Sequence, residues 1–287
     1  MAPASPTVAR WELGLRLRAH REASDHHVAT AAKAVGTGQS FLSGVEAGKT
    51  KVGEERLTML CALYDLDEDE TRDLTRLREQ ANERPWWSRY SGLFGADMLR
   101  FFGFEHGADT IRAYSGGLVN GLLQTEDYAR AVINSAVPNI RLAETERRLE
   151  ARMIRQRRLT GEDPPHLTAV MNEAALRQQV GGREVLREQV RHLLDRAEEY
   201  EQALDLRIVP FTAGAYDALD GSSFYIFTFP SAQLPTLGWQ ETVTSTALIE
   251  DEMQIREYTV AYNQAAEAAL SRAESLKLLR GIVKELT

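Results

Sequence analysis

Apolar residues in the first 84 positions recur every three or four residues, a spacing that places them on one face of a helix. The pattern predicts five helices, near residues 11–22, 27–35, 39–46, 54–64 and 67–83. Gly36 and Gly48 follow the second and third segments, where a residue without a Cβ accepts the left-handed backbone that stops a helix. An all-α domain of five helices is therefore expected over residues 1–84.

The pattern of apolar positions changes after Pro85. Proline breaks the fifth helix, and short apolar runs typical of strands then alternate with long helical stretches. The strand-like runs cover residues 110–114, 166–171, 206–211, 223–229 and 242–249. We therefore expect a second, larger domain of the α+β class over residues 85–287.

The third predicted helix separates a narrow apolar stripe from a polar outer surface. Leu42 and Val45 are three residues apart and form the stripe. The other faces hold the small or polar residues Gln39, Ser40, Ser43 and Gly44. A helix with such a surface fits the major groove of duplex DNA. Lys49 and Lys51 follow it, where a chain that leaves the groove meets phosphate.

Short segments around this helix are similar to a known family. Residues 36–40 (GTGQS) and 45–51 (VEAGKTK) resemble the recognition segment of the lambdoid phage repressors and the wider Xre-type regulators. The opening helix of that family is matched at Gly14, Leu17, Arg18 and Arg21, and its fourth helix at Leu57, Leu60, Cys61, Leu63 and Tyr64. The resemblance implies a lambda-repressor-like helix-turn-helix domain and a protein that binds operator DNA.

The resemblance also implies roles for individual residues. Base contacts are expected from Gln39, Ser40, Ser43 and Gly44, and contacts to the DNA backbone from Thr37, Gly38, Lys49 and Lys51. Glutamine presents a donor and an acceptor together to adenine, serine bonds to several bases, and lysine neutralises phosphate. Arg21 and Glu46 occupy the positions of a buried ion pair that ties the first helix to the recognition helix.

Three residues depart from the family pattern. Gly38 replaces the Ser or Thr usual at the helix N-cap, Gly44 stands where many relatives have Arg or Gln, and Phe41 is large where a small polar residue is common. Glycine weakens a helix and supplies no side-chain cap. We expect Phe41 to pack against its neighbours rather than against a thymine methyl group. The helix therefore offers few base contacts.

Charge is distributed unevenly along the chain. The net charge is −8, whereas residues 1–53 hold seven Lys or Arg and four Asp or Glu, a net +3. A modestly basic head on an acidic body weakens non-specific DNA binding. Because each head offers few contacts, we expect a homodimer on a roughly palindromic operator. The same charge supports an alternative, a protein-interaction module whose degenerate helix-turn-helix does not bind DNA by itself.

The second domain is also similar to a known group. Residues 122–130, 172–176 and 209–214 resemble the C-terminal domain of WhiJ-like actinobacterial regulators. That resemblance implies an antitoxin-like transcriptional regulator that acts beside a small partner protein encoded nearby. The expected function is a regulator that reads a double-stranded DNA operator and senses a partner protein or a small ligand through its C-terminal domain.

The sequence contains no pattern that indicates catalysis. The potential acid–base residues Glu126, Asp127, Asp163, His166 and Glu173 have no spacing that brings two of them together. We therefore expect no enzymatic activity, no catalytic residue and no cofactor. The histidines form no paired metal motif, so no metal site is expected. One cysteine and the absence of a long apolar run predict a cytoplasmic protein without membrane contact.

Two further segments have more than one interpretation. Residues 147–158 hold six arginines, which form either a second nucleic-acid surface or a solvated or partner-facing helix, and we favour the latter. Residues 224–229 are rich in aromatics. They form most simply a strand buried on both faces, and the alternative is one wall of a small-molecule pocket.

Overall fold

The structure, a computed structural model, describes residues 2–136, 142–242 and 245–287. Within these ranges the chain forms two compact units. One comprises residues 3–88 with 231–234, and the other comprises residues 89–230 with 235–287. In the described ranges no helix has both the length and the apolar character needed to cross a membrane.

The first unit consists of five helices around one apolar core. The helices are α1 (Pro6–Ala23), α2 (Val28–Ala34), α3 (Gln39–Glu46), α4 (Glu54–Leu63) and α5 (Glu68–Asn82). All five helices predicted from the apolar spacing are therefore confirmed. The core includes Leu17, Ala31, Leu42, Leu60 and Leu74, each at most 1% exposed. The single cysteine, Cys61, lies in this core as a free thiol.

Four of these helices end in the same hydrogen-bonded motif. After α2, the Gly36 amide donates to the Lys33 carbonyl and the Thr37 amide to the Ala32 carbonyl, the pattern of a Schellman cap. Gly36 has φ +66° and Gly48, after α3, has φ +64°. Asp25 and Asp65 have φ +53° at the corresponding positions after α1 and α4. The glycine stops follow from the sequence, whereas the aspartate stops have no signal as specific.

The second unit contains six strands and seven helices within the described residues. Its first part holds α6 (Ala96–Gly107), β1 (Thr110–Ser115), α7 (Glu126–Ala136), α8 (Leu142–Gln156), β2 (His166–Asn172), α9 (Ala174–Arg177) and α10 (Arg183–Glu199). Its second part holds β3 (Leu204–Val209), β4 (Phe224–Thr228), β5 (Leu237–Glu241), β6 (Thr246–Ile249), α11 (Glu252–Ala268) and α12 (Arg272–Glu285).

These strands form one mixed sheet in the order β3-β2-β1-β4-β5-β6. β1, β2 and β3 are parallel, and β4, β5 and β6 continue the sheet on the other side of β1 in antiparallel pairs. The helical connections between parallel strands and the hairpins between antiparallel ones follow from this geometry. The α+β class expected for this domain is confirmed. β1 is the strand that has a parallel neighbour on one side and an antiparallel neighbour on the other.

Two of the predicted strands differ from those observed. The run predicted at residues 242–249 contains only β6, because the Thr242 amide donates to the Ser245 carbonyl in a hairpin turn; residues 243 and 244 lie outside the described residues. The run predicted at 206–211 is strand only to Val209, since the proline that follows has no amide to donate.

β5 was not predicted at all, and Gly238 explains the omission. Glycine is depleted in strands, so residues 237–241 give a weak strand signal. A Cβ built on Gly238 lies 3.0 Å from the Ile249 Cβ and 3.0 Å from the Ile255 Cδ1. The small residue is therefore required by tertiary packing between β5, β6 and α11.

Helices cover both faces of the sheet. On one face, Tyr114, Val170 and Ile226 pack with Tyr262 of α11 in a buried cluster. On the other face, the Phe101 ring of α6 stacks on the Trp239 indole, with 4.8 Å between the ring centroids. The strand at residues 224–228 is accordingly covered on both sides, as the aromatic pattern predicted.

Candidate DNA-binding surface

The recognition helix of the first unit is α3, and its inner side is anchored in the core. Leu42 and Val45 are each 1% exposed, as their spacing predicted. The cap at Gly36 turns the chain sharply, so that α3 begins only three residues later. α2 and α3 thus form the two helices of a helix-turn-helix with a short, fixed turn.

The outer side of α3 is open. Gln39, Ser40 and Ser43 are all exposed, and Ala47 continues the same face past the end of the helix. Gly44 is partly exposed, and a Cβ built on it lies 2.5 Å from the Thr50 Oγ1, so the side chain that follows the helix lies against this position. The base contact expected from Gly44 stays a prediction.

A two-pronged ion pair joins α1 to α3. Arg21 donates from Nε to Glu46 Oε1 over 2.7 Å and from Nη2 to Glu46 Oε2 over 3.0 Å. The two side chains are 11% and 7% exposed. The hydrogen bond that Arg21 donates to Glu46 raises the pKa of Arg21. Arg21 also donates to the His26 carbonyl, which fixes the chain at the end of α1. The structure thus contains the pair that the family resemblance implied.

Two glycines let α1 approach the end of α3 closely. A Cβ built on Gly14 lies 2.4 Å from the Val45 carbonyl oxygen and 2.7 Å from that of Glu46. A Cβ built on Gly48 lies 2.7 Å from the Trp11 Cα. Backbone atoms cannot yield as a flexible side chain does, so a larger residue at either position displaces α3. Gly14 was matched to the family, but this close approach of the two helices was not predicted. The signal that could have predicted it is a glycine inside a helical pattern.

The residues expected at the DNA backbone lie at both ends of α3. Gly38 is exposed at the N-cap and provides no side-chain cap, and Thr37 beside it is partly exposed. Lys49 is exposed at the other end. Lys51 is also exposed, and its ammonium donates to the Asn82 carbonyl over 3.3 Å. Lys51 is therefore committed in part to the end of α5.

Two arginines that were not assigned to DNA also flank α3. The Arg56 guanidinium lies 5.3 Å from the centroid of the Phe41 ring, and Phe41 itself packs against the core, as expected. Arg18 lies with Ser43 and Ala47 along an open cleft between α1 and α3. Two signals in the sequence could have identified them. Arg56 is a basic residue in the first turn of α4, and Arg18 is a basic residue on the outer face of α1.

The second unit does not gather the candidate acid–base residues. Glu173 accepts from the Arg177 Nε and from the Phe211 amide, each over 3.0 Å, whereas His166 is exposed at the start of β2. Across the described ranges, no group of three or more His, Cys, Asp or Glu residues is placed to hold a metal ion.

The basic run in α8 differs from the favoured interpretation. Arg147 and Arg157 are exposed, but Arg155 and Arg158 are buried, at 9% and 8%. Arg158 donates from Nε to the His106 carbonyl over 2.8 Å. Two of the six arginines are therefore buried, because they reach acceptors on α6 and just after it. The helix is not simply a solvated basic surface.

Comparisons with known proteins agree with the division into two units. A family model described as a helix-turn-helix domain matches residues 12–74, from α1 into α5. A second, described as a domain of unknown function (DUF5753), matches residues 98–281 and so includes all six strands. No curated protein and no solved structure matches the chain. The first match indicates a DNA-binding regulator.

Proposed function

The chain belongs to the DUF5753 family, and from that membership and its helix-turn-helix domain we propose that the protein is a sequence-specific transcriptional regulator. The observation that carries this proposal is the open outer face of α3. Its inner face is locked by the core, and by the pair between Arg21 and Glu46. A rigidly held helix with exposed polar side chains is what base readout in the major groove needs.

Gln39, Ser40 and Ser43 are the proposed base-contacting residues. All three are exposed on the face of α3 that points away from the core. The Gln39 carboxamide can bond to adenine through both its oxygen and its nitrogen, whereas a serine hydroxyl fits more than one base. Gln39 is therefore the residue on which sequence preference most depends.

The DNA backbone is held at both ends of α3. The uncapped amides after Gly38 and the positive end of the helix dipole suit a phosphate oxygen, and Thr37 lies beside them. Lys49 at the opposite end supplies a mobile charge, while Lys51 contributes less because it also bonds to α5. Arg18 and Arg56 extend the positive surface on either side. These few cations support a homodimer that reads two half-sites.

The second unit is proposed to regulate this activity rather than to catalyse a reaction. The resemblance to WhiJ-like regulators supports an antitoxin-like role, with a small partner protein or a small ligand as the signal. Its candidate acid–base groups are dispersed or satisfied by hydrogen bonds, as Glu173 is. This arrangement supports a sensing domain without enzymatic activity.

The test is DNA binding by the full-length protein and its Gln39→Ala variant. Purified protein is titrated with its own upstream DNA and with a scrambled duplex at two salt concentrations. We expect specific binding that weakens with salt, and loss of the preference for the upstream DNA in Gln39→Ala. Gln202→Ala, an exposed glutamine in the second unit, is the matched control. Equal preference in Gln39→Ala and the unchanged protein would refute the assignment.

The alternative function is a protein-interaction module that does not bind DNA by itself. The uncapped start of α3 at Gly38 and the net charge of −8 favour it. It predicts no binding to either duplex at low salt, although the protein is folded. Binding restored only by a co-expressed neighbour would identify a head that requires its partner.

A further inference from the structure

Beneath the sheet of the second unit, Arg152 has no carboxylate bonded to it among the described residues. Arg152 of α8 donates from Nη1 to the Gln124 Oε1 over 2.8 Å, and this neutral group is its one hydrogen-bonded partner among the described residues. Burial, and then the charge of Arg155, lower the pKa of Arg152 to about 10. A desolvated cation without a counter-charge is costly, and such groups occur at functional sites.

The neighbouring arginine is satisfied and cannot act as the partner. Arg155 forms a two-pronged pair with Glu105, with two bonds of 2.7 Å, between the rings of Phe101 and Phe102. Both oxygens of the Glu105 carboxylate thus accept from Arg155, which lies about one helical turn after Arg152 in α8. Arg152 adds a second positive charge beside this pair, and Glu105 balances only the charge of Arg155.

The segment that holds Arg152 is itself fixed. Gln124, 3% exposed, donates its amide to the Val119 carbonyl over 2.8 Å, which leaves its oxygen for Arg152. The Gln156 amide donates to the carbonyls of Gly121 and Gln124. Rotation of Arg152 into another pairing would break its hydrogen bond to Gln124. Its guanidinium is therefore positioned before any ligand binds.

Buried donors without acceptors also occur in the connection that contains Gln124 and in β5. The Trp239 Nε1 and the Asn120 Nδ2 are buried and have no hydrogen-bond partner among the described residues. Trp239 pairs in register with Tyr225, whose own partner across β1 is Ala113. Burial raises the pKa of Tyr225 to about 12, so its hydroxyl is protonated and is also a donor. The donor set is suited to an anion.

The position in the sheet points the same way. Ala113 is two residues before the end of β1, and Gln124 belongs to the connection that leaves this end. β1 has a parallel neighbour, β2, on one side and an antiparallel neighbour, β4, on the other. In open sheets, ligands commonly bind beside the carboxyl ends of strands. The basic helix α8 and the aromatic strand β4, for which the sequence allowed more than one interpretation, both contribute residues here.

We propose that the side chains of Arg152, Gln124, Tyr225 and Trp239 together bind the oxyanion group of a small molecule, a carboxylate or a phosphate. Arg152 contacts the charge, and the Tyr225 hydroxyl and the Trp239 indole N–H donate to its oxygens. The aromatic surroundings favour a ligand with an apolar body. Binding does not depend on the DNA reading proposed above, but its role as the regulatory signal does.

The carboxylate of Glu241 raises the pKa of both Arg152 and Arg155 through its charge. Glu241 of β5 is exposed, and its charge opposes the lowering of the pKa of Arg152. It makes no hydrogen bond to Arg152 within the described residues. If Glu241 were the true counter-charge, its removal would destabilise the fold. If an external anion is the partner, its removal relieves a repulsion and strengthens anion binding.

The test is thermal unfolding of the full-length protein in sodium phosphate and in sodium benzoate, with ionic strength held constant by sodium chloride. We expect a saturable rise in the unfolding midpoint, roughly 3 °C or more at ten times the Kd. A response to phosphate alone identifies a phosphorylated ligand, and a response to benzoate alone identifies a carboxylate. No saturable rise with either anion overturns the proposal.

Variants separate this site from general effects of charge. Arg152→Gln should weaken anion binding at least 10-fold, whereas Arg157→Gln, an exposed arginine just after the same helix, should leave it unchanged. Should Arg152→Gln fail to fold, Tyr225→Phe removes one donor and weakens binding roughly 2- to 10-fold. Glu241→Gln should strengthen binding. Equal responses of both arginine variants, or loss of stability in Glu241→Gln without anion binding, contradict the site.

The regulatory role is measured separately. Affinity for the upstream DNA is compared with and without the stabilising anion at constant ionic strength. A change that Arg152→Gln abolishes supports a sensor. Anion binding by a protein that never binds DNA would leave the site standing and reject the proposed function instead.

Discussion

Among the described residues, each unit of the molecule contains a buried arginine–glutamate pair with two hydrogen bonds, and the two pairs have different surroundings. In the first unit, Arg21 and Glu46 join α1 to α3, with side chains 11% and 7% exposed. In the second, Arg155 and Glu105 join α8 to α6 at 9% and 2%. Arg155 also lies within about 5 Å of two phenylalanine ring centroids.

The difference concerns what each pair supports. The pair of the first unit is beside the exposed face of α3 and fixes a helix that presents its side chains outward. The pair of the second unit lies under the sheet, where burial lowers the pKa of Arg155 but Glu105 raises it by more. A second arginine beside it has no such carboxylate among the described residues. The first pair therefore supports an exposed surface, and the second balances part of the charge beneath the sheet.

The largest effect is expected from Glu105→Gln. This change leaves the Arg155 guanidinium buried between aromatic rings without a counter-charge, which should cost about 4 kcal/mol. The free energy of opening can be measured by hydrogen exchange of peptides from β1. Glu150→Gln, which removes the exposed partner of Arg89, is the control and should cost less than about 1 kcal/mol. Similar small losses in both variants would show that the buried pair has no special weight.

Glu46→Gln should cost somewhat less, about 3 kcal/mol, because Arg21 keeps its bond to the His26 carbonyl and some contact with water. Operator affinity should fall as well, since α3 loses its tie to α1. Urea unfolding and DNA titration measure the two effects. Asp69→Asn, which removes the exposed partner of Arg72, is the control. Unchanged DNA affinity in Glu46→Gln would separate the pair from DNA reading.

Gly14→Ala probes the same junction through sterics rather than charge. The added methyl would lie 2.4 Å from the Val45 carbonyl oxygen, and overpacking of this kind costs about 2 kcal/mol. We expect lower stability and weaker operator binding. Gly281→Ala in α12 is the control, because a Cβ there meets nothing within 4 Å and should be neutral or slightly stabilising. An equal response at both glycines would contradict the close approach of α1 and α3.

Lys49→Ala should have the smallest effect and leave stability unchanged. Each neutralised phosphate contributes about 0.9 to the slope of log affinity against log salt, so a variant that neutralises one phosphate fewer should have a slope smaller by about that amount. DNA titrations at several salt concentrations give the slope. Lys277→Ala, an exposed lysine of α12, should not alter it. A slope retained in Lys49→Ala would exclude Lys49 as a phosphate-binding residue.

The first unit was predicted in more detail than the second, for a physical reason. Its helices depend on local spacing of apolar residues and on turn glycines such as Gly36, which act within a few residues of each other. The exposed position of Gln39 follows from that same spacing. The position of Thr50 against Gly44 could not be predicted, because it depends on how the chain turns after α3.

In the second unit, local pattern identified four of the six observed strands near their true positions. It placed a fifth, β6, within a run that began too early, and it missed β5 because Gly238 has poor strand propensity and is needed by packing. The inward direction of Arg152 and Arg155 was also missed. Alternation of charge along α8 suggested solvent, and only the pairing with Glu105, 50 residues away, shows otherwise.

The sequence by itself determined the five helices of the first unit, the outward face of α3 and the α+β class of the second unit, because these properties depend on periodicity within short segments. The tertiary structure decided the order of the strands and the position of Thr50 against Gly44. It also decided which of the buried arginines are paired with a carboxylate. Those outcomes depend on residues far apart in the chain, whose distances only the completed fold defines.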